Sequence, residues 1–267
     1  MVAYGGYLDN AMLYRIDEND LHETKLVGKQ CEKTVNDIKH LIDLIYENDE
    51  KGINYNFFDI KGTVLMHGIA GVGKTTIAMN CMSYAINKYG VESYVLDVSD
   101  IIVSGLGESV KNMHDKLAEF EELREGILFI DEIDKLLISR NTVGELSEMK
   151  RLLIEFMGYV DKLTVEKRKV LIGCTNVYEQ MDEALKRRFS INEEIQRPLN
   201  EEKNEFFSIC LSKAGIHIPT LSLKRDFLDK FETMDSIKAY FRRNILDKSL
   251  DQMRTEIELE QDNNSNR

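Results

Sequence analysis

Glycine, lysine and threonine stand at a regular spacing in the stretch HGIAGVGKTT, residues 67–76. Gly68 is followed, after four residues, by Gly73, Lys74 and Thr75. Glycines let the backbone curl so that its N–H groups point at phosphate oxygens, while a lysine reaches the outer phosphates and a hydroxyl binds Mg²⁺. The spacing therefore predicts a site for a nucleotide and its metal ion. The alternative, a glycine turn with a solvated lysine, leaves the threonine after the lysine unexplained.

A second candidate group is the acidic end of an apolar run, ILFIDEIDKL, residues 127–136. A carboxylate at Asp131, where the run ends, can hold the hydration shell of Mg²⁺. Glu132 projects one residue further and can polarise a water molecule for attack on a γ-phosphate. The alternative is a solvated acidic turn, which the phosphate motif elsewhere in the chain disfavours. Asp134 either has a structural role or faces a neighbour.

These residues have to be positioned by the elements around them. Short apolar runs alternate with amphipathic ones, which predicts strands buried on both faces in a parallel sheet with helices on either side. The predicted strands are 63–67, 93–98, 126–131, 169–175 and 192–196, and the predicted helices are 74–88, 109–123, 145–160 and 182–187. The glycine loop then lies between a strand and a helix, where the helix N-terminus adds partial positive charge for phosphate binding.

The composition limits the classes of function. The 267 residues include 35 Lys and Arg against 47 Asp and Glu, a net charge of −12 that disfavours generic binding to nucleic acid or anionic membrane, although a local basic patch stays open. No apolar run reaches the roughly 18 residues of a membrane span, and the N-terminus lacks the plan of a signal peptide. The four cysteines are far apart, which indicates reduced thiols. Together these features predict a cytoplasmic protein.

A change of pattern marks a domain boundary. Pro198, one of two prolines, follows the last predicted strand, and only helical patterns come after it. The predicted organisation is a short N-terminal leader at 1–24, an α/β domain at 25–197, a helical domain at 198–257 and a disordered polar tail at 258–267. The leader is too short to fold alone, so it either docks on another surface or stays flexible.

The stretches GIAGVGKTT and ILFIDEID resemble those of AAA+ ATPases, in the AAA subgroup proper. The resemblance runs from about Lys25 to Leu250 and implies that the chain binds ATP and Mg²⁺. The implied nucleotide-binding residues are Val27, Gly28, Gly68, Ala70, Gly71, Val72, Gly73, Lys74, Thr75, Thr76 and Asp131, with Thr75 and Asp131 as metal ligands. The departures from the family's usual loop are Ile69 and Ala70, which replace prolines and should loosen the turn rather than abolish binding.

Two further stretches support the resemblance. The run VLIGCTN ends at Asn176, similar to the sensor 1 residue that orients the attacking water. The run MDEALKRRF, residues 181–189, is similar to the second region of homology, where Arg187 and Arg188 match arginine fingers that complete a neighbouring subunit's site. The resemblance thus implies Glu132, Asn176, Arg187 and Arg188 as catalytic residues. For the two arginines the alternative is an exposed basic helix end, which the helix dipole favours.

The resemblance also implies an architecture and an assembly. The fold would be an α/β P-loop sandwich, a five-stranded parallel sheet in the order 5-1-4-3-2 between helices, followed by a small all-helical lid domain. Copies of the chain would form a ring, usually hexameric, because each site borrows arginines from next door. The pore-loop position that is aromatic in many unfoldases is Gly105 here, followed by Leu106 and Gly107, which puts strong peptide threading in doubt.

Three functions stay open from the sequence. The favoured one is an ATP-hydrolysing ring that remodels or disassembles a partner protein complex and receives its specificity from a separate substrate or adaptor protein. The second is a nucleic-acid-associated ATPase, such as a helicase loader or transposition factor, for which the chain offers only the basic runs at 165–169 and 185–189. The third is a non-enzymatic nucleotide switch, against which the intact Lys74, Asp131 and Glu132 argue.

Overall fold

A computed structural model of the chain describes residues 13–17, 21, 25–47, 53–102, 107–136, 143–218 and 221–261. The chain forms two compact units. The first comprises Lys33–Gly68, Lys74–Glu194 and the described residues before Thr24. The second comprises Lys25–Glu32, Ile69–Gly73 and the described residues from Ile195 onward.

Strands and helices alternate through most of the first unit, and helices follow in the second. The described strands are β1 (Tyr14–Ile16), β2 (Thr63–His67), β3 (Ser93–Leu96), β4 (Gly126–Ile130), β5 (Lys169–Thr175) and β6 (Ile191–Glu194). The described helices are α1 (Lys29–Glu47), α2 (Lys74–Tyr89), α3 (Glu108–Glu122), α4 (Val143–Asp161), α5 (Glu183–Lys186), α6 (Asn200–Lys213), α7 (Arg225–Leu228), α8 (Met234–Leu246) and α9 (Leu250–Leu259). Among them, none has the combination of length and apolar character that a membrane crossing requires.

The strands form one sheet in the order β1-β3-β4-β5-β2-β6. Neighbours from β3 to β6 pair in parallel, whereas β1 pairs antiparallel with β3, with Tyr14 opposite Val95. The sheet is therefore six-stranded and mixed, and the prediction of a five-stranded parallel sheet is wrong in this respect. The physical reason is that β3 offers a row of unpaired N–H and C=O groups, which a short segment from before α1 can satisfy.

Three strands end earlier than the sequence predicts: β6 ends at Glu194 rather than at residue 196, and two others end beside an aspartate. The third strand ends at Leu96 rather than at residue 98, because the Asp97 carboxylate accepts a hydrogen bond from the Ser99 N–H (2.8 Å) and starts a 3₁₀ turn. The fourth strand ends at Ile130, one residue before Asp131. In both cases a polar side chain that bonds to nearby backbone stops the strand.

Apolar packing around the sheet holds the first unit together. Strands β4 and β5 are buried along their whole length, as expected for strands that are covered on both faces. One core cluster joins Leu117 and Phe120 of α3 to Leu128 of β4 and Phe156 of α4. This packing fixes the carboxyl ends of the central strands, from which the loops of the candidate site emerge.

Aromatic rings form the core of the second unit. The Phe207 ring lies 5.0 to 6.1 Å, centroid to centroid, from those of Phe227, Phe231, Tyr240 and Phe241. Such tilted and edge-on pairs each contribute roughly 0.5–1.5 kcal/mol beyond their buried area. The aromatic cluster therefore ties α6, α7 and α8 into one unit.

Candidate nucleotide site

The glycine loop leaves the carboxyl end of β2 and leads into α2. Gly68, Gly71 and Gly73 have φ angles of 139°, 82° and 112°, in the region that favours glycine. Gly71 has a second reason to be glycine, because a Cβ there would lie 2.9 Å from both Thr233 Oγ1 and Asp235 Cβ of the second unit. The three glycines thus adopt the backbone conformations that a curled loop needs.

Lys74, the first residue of α2, is buried, with 6% of its surface exposed. Its ammonium donates to the Gly68 carbonyl (2.8 Å) and to the Asn176 side-chain oxygen (2.7 Å). Burial lowers the pKa of Lys74 from its ordinary value, an effect that Cys174 and the neighbouring carboxylates oppose. A desolvated ammonium of this kind is an effective partner for a phosphate group.

Thr75 and Asp131 meet at the start of α2 and the end of β4. The Thr75 hydroxyl donates to Asp131 Oδ2 (2.9 Å), while Asp131 Oδ1 accepts the Glu132 N–H (3.0 Å). A hydroxyl and a carboxylate are hard oxygen ligands of the kind that Mg²⁺ prefers, with water and phosphate oxygens completing its shell. The side chains present therefore fit a Mg²⁺ ion.

Glu132 has an unusual backbone and an ion-pair partner. Its φ of 51° lies in the left-handed region, which is uncommon for a residue other than glycine. Its carboxylate pairs with the ammonium of Lys135, and this hydrogen bond raises the pKa of Lys135. The pair was not predicted, although acidic and basic residues three positions apart on a helical turn are a recognisable signal.

Asn176 is held by its backbone as well as by its side chain. Its N–H points at Asp134 Oδ1 (3.4 Å), and Asp134 is buried, with 8% of its surface exposed. Of the two roles left open for Asp134, the structure thus provides a structural contact within the same chain. The Asn176 amide oxygen is left facing Lys74, so the loops after β2, β4 and β5 meet in one place.

An aromatic stack lies beside these loops and was not predicted. The ring of His67, the last residue of β2, stacks on the ring of Tyr178, with the centroids 3.8 Å apart and the planes inclined by 13°. The Tyr178 hydroxyl accepts a hydrogen bond from Asn192 (2.7 Å), and the Lys186 ammonium lies 4.3 Å from the Tyr178 ring centre. No local signal in the sequence could have found this contact, because the two rings come from distant segments.

Arg188 lies away from Lys74. Its carbonyl accepts a hydrogen bond from the hydroxyl of Thr63, the first residue of β2 (3.0 Å). Its guanidinium donates to Asp161 (3.0 Å) and to the Ala184 carbonyl (2.6 Å). Arg187, one residue earlier, is exposed and donates to the Glu183 carbonyl (3.3 Å).

The two arginines and the glycine loop therefore belong to opposite ends of β2. The loop follows His67, whereas Arg188 is bonded to Thr63, and a strand of this length spans about 13 Å. Asp161 and Ala184 hold the Arg188 side chain at the Thr63 end. Neither arginine is brought to the Lys74 of its own chain.

The other predicted site residues are two just before α1, three in or beside the glycine loop and three in the predicted pore loop. Val27 is buried in the apolar cluster of the second unit, and Gly28 has a φ of 107° with Glu202 where a Cβ would be. Their role in nucleotide binding stays a prediction. Within the loop, Val72 is buried, Ala70 is exposed and Thr76 is half-buried. The pore-loop residues Gly105 and Leu106 lie outside the described residues, whereas Gly107 precedes α3 with a φ of 82°.

Comparison with known proteins adds a family match. The family model described as the ATPase family associated with various cellular activities (AAA) matches residues 64–197, half of the chain. The matched range contains the glycine loop, the Asp131-Glu132 turn, Asn176 and both arginines. The family match and the geometry thus concern the same residues.

Individual relatives match over part of their length. The chain is 29% identical over 200 residues, 75% of its length, to a putative cell division cycle ATPase of Plasmodium falciparum, of which the match covers 16%. It is 31% identical over 137 residues, 49% of its length, to the ribosome biogenesis ATPase RIX7 of Saccharomyces cerevisiae, again 16% of that protein. A solved HORMA:CdnC:Trip13 complex of E. coli MS115-1 contains a chain with the same fold, at a TM-score of 0.61 and 18% identity, with 72% of this chain and 70% of that chain covered.

Proposed function

Because the chain belongs to the AAA family of ATPases, we propose that it hydrolyses ATP in a ring of identical copies and uses the energy to remodel or disassemble a partner protein complex. The copies would meet so that the nucleotide held by one chain is completed by the arginines of the next. The partner complex, or an adaptor for it, would be a separate protein.

The observation that carries the proposal is the separation of Arg188 from Lys74. Both residue types serve phosphoryl transfer, one by binding the ground-state phosphates and the other by stabilising charge in the transition state. They are held near opposite ends of β2, a strand that spans about 13 Å. Two copies arranged head to tail would bring the arginine of one to the lysine of the other, and a head-to-tail contact that closes forms a ring.

Three residues would bind the nucleotide within one copy. The Lys74 ammonium would exchange its bond to Asn176 for the outer phosphates, and the loop N–H groups would surround them. Thr75 and Asp131 would hold Mg²⁺, which neutralises charge on the phosphates when it is bound. The Thr75 hydroxyl donates its hydrogen to the Asp131 carboxylate, so the two oxygens that would hold the ion already lie close together.

Hydrolysis would then require a base, a water-orienting group and a charge stabiliser. Glu132 would accept the proton of the attacking water after its carboxylate leaves Lys135. The Asn176 amide, freed from Lys74, would orient that water. Arg188 of the neighbouring copy, with Arg187 beside it, would stabilise the charge on the transferring phosphoryl oxygens after releasing Asp161.

The names of two relatives support the remodelling of a protein complex. One matched relative is named for ribosome biogenesis, and another, from Methanothermobacter thermautotrophicus, as a putative 26S proteasome regulatory subunit homolog. Both names refer to large protein-containing assemblies. The chain's net charge of −12 also fits a protein partner better than a nucleic acid.

The proposal is tested by measuring the ATPase rate per chain against protein concentration. A site completed by a second copy predicts a rate that rises with concentration and then saturates, in parallel with assembly seen by sedimentation in the presence of ATP and Mg²⁺. A rate per chain that is already maximal in dilute, monomeric protein contradicts a shared site. Duplex and single-stranded DNA are added as a further arm, since a strong, salt-sensitive stimulation would favour the nucleic-acid-associated function instead.

A further inference from the structure

Two exposed phenylalanines project from the first unit. Phe57 and Phe58, with 76% and 62% of their surface exposed, end the 3₁₀ turn Tyr55–Phe58, and their rings meet edge to face at 5.1 Å. The turn is well defined, since the Asn54 side chain accepts the Phe57 N–H (3.1 Å). Exposing two adjacent aromatic rings is costly in water, so this aromatic tip (Phe57 and Phe58) is typical of a contact surface.

The aromatic tip is attached to the end of the sheet that carries Arg188. Ser190 accepts the Lys61 N–H (2.7 Å) and donates to the Asp59 carbonyl (3.3 Å), which joins the turn to the segment just after the arginines. The Lys61 ammonium also pairs with Asp161 (3.0 Å), the carboxylate that holds Arg188. The turn that carries the aromatic tip is therefore anchored to the segment that carries Arg188.

The second unit has an apolar groove between α6 and α8. Its volume is about 310 Å³, and its apolar lining includes Phe241, Ile245 and Leu246. The Ile245 and Leu246 side chains are themselves 49% and 74% exposed. Three cations also line this α6–α8 groove: Lys213, Lys238 and Arg242.

We propose that the aromatic tip of one copy inserts into the α6–α8 groove of the next copy and so sets the two copies in register for the shared ATP site. This inference rests on the ring assembly proposed above. The aromatic tip and the groove would supply an apolar contact of that assembly, in addition to the contact that the arginines would make.

Volume and charge both favour a second copy as the occupant. A cavity of about 150 Å³ holds one benzene ring, so a groove of about 310 Å³ has room for the rings of both phenylalanines. Asp59, exposed and next to Phe58, supplies a carboxylate that matches the three cations of the groove. A projecting apolar group and a matching groove at different places on one chain produce a head-to-tail contact, which is the type that forms rings.

The first experiment removes the aromatic tip. The double variant Phe57→Ser/Phe58→Ser should raise the concentration at which the ATPase rate is half-maximal by about tenfold or more, because two aromatic side chains lose their burial. The rate at saturating concentration should stay near that of the wild type, since the catalytic groups are intact. Leu259→Ser, a change at a residue that is 73% exposed on α9, is the control and should shift nothing.

The second experiment locates the contact by cross-linking. In a Cys210→Ser background, copies with Phe58→Cys are mixed with copies carrying Leu246→Cys, and disulfides are formed under mild oxidation with ATP present. Cross-linked dimers should form in this mixture and not when Leu259→Cys replaces Leu246→Cys, because a disulfide needs Cα atoms within about 7 Å.

The outcomes separate this inference from the proposed function. A wild-type chain that stays monomeric in sedimentation overturns both. A wild-type chain that assembles, together with an unshifted Phe57→Ser/Phe58→Ser variant and no specific cross-link, overturns the groove contact and leaves the shared site standing. A shifted midpoint together with the specific cross-link supports both.

Discussion

Glu132 is the residue whose present contacts differ most from its proposed role. Its carboxylate is paired with Lys135, and its backbone has a left-handed φ of 51°. Strained conformations of this kind persist where the surroundings impose them and are frequent at functional sites. We infer that turnover requires Glu132 to exchange Lys135 for the attacking water.

The first prediction concerns the replacement of the Glu132 carboxylate. Glu132→Gln keeps the size of the side chain but cannot accept a proton, so ATP should still bind while the steady-state rate falls by about 10²–10⁴-fold. Binding is measured with a fluorescent ATP analogue and turnover by phosphate release. Glu258→Gln, which alters an exposed carboxylate on α9, is the control and should keep its activity. A variant that still turns over ATP near the wild-type rate would remove Glu132 from the reaction.

The second prediction concerns the pH dependence of stability at His67. Burial lowers the pKa of His67 from 6.5, although Glu194 and Glu179 oppose the shift, so the folded chain favours the neutral imidazole. As pH falls through 6.5, His67 becomes protonated in the unfolded chain before it does so in the folded chain. The contribution of the neutral imidazole to stability is therefore complete above pH 6.5 and decreases as pH falls toward the lower pKa of the folded chain. Melting temperatures from about pH 7.5 to 5.5 should fall less steeply in His67→Gln than in the wild type. Parallel curves would contradict the assignment.

Much of the candidate site was predictable because its residues follow apolar strands. Asp131 and Asn176 directly follow β4 and β5, and Lys74 follows β2 after the glycine loop. Parallel strands place their carboxyl ends along one edge. The ion pair of Arg188 with Asp161 and the His67–Tyr178 stack were not predictable. Both join side chains from distant segments, and no periodicity records such contacts.

Strand β1 is an element that the sequence pattern does not predict. Tyr14–Ile16 is three residues long, too short for an alternating pattern, and it forms only because the edge of β3 is available. The longer apolar runs at 63–67 and 169–175 were predicted with the bounds that the structure has. A buried strand is visible in the sequence as an apolar run, whereas an edge strand as short as β1 depends on the strand with which it pairs.

The third prediction concerns the N-terminal cap of helix α8. Thr233 caps it, since the Thr233 hydroxyl accepts the Ser236 N–H (3.2 Å) and the Ser236 hydroxyl accepts the Thr233 N–H (3.1 Å). Thr233→Ala should lose about 1 kcal/mol of helix stability, because an N-terminal N–H loses its partner. Amide hydrogen exchange in α8 should accelerate about fivefold, the rate ratio for that free energy. Thr255→Ala, at an exposed position on α9, is the control, and equal exchange in both variants would contradict the cap.

In the proposed function, each chain carries two incomplete halves of a reaction site. One half would bind phosphates and metal at the carboxyl end of β2, and the other would supply Arg187 and Arg188 from near its amino end. Separating the halves would make hydrolysis depend on assembly, so that an isolated chain would not consume ATP. The aromatic tip and the α6–α8 groove would then decide how readily copies meet.

A mixture of two inactive variants tests most directly whether the reaction site is shared between copies. Lys74→Ala should fail to bind ATP, and Arg188→Ala should bind ATP without turning it over, while Arg225→Ala, at an exposed arginine of the second unit, should stay active. An equal mixture of the first two should recover about a quarter of the wild-type rate, because random neighbours place an intact lysine beside an intact arginine at one contact in four. A mixture that sediments as an assembly yet stays inactive would contradict a site shared between copies.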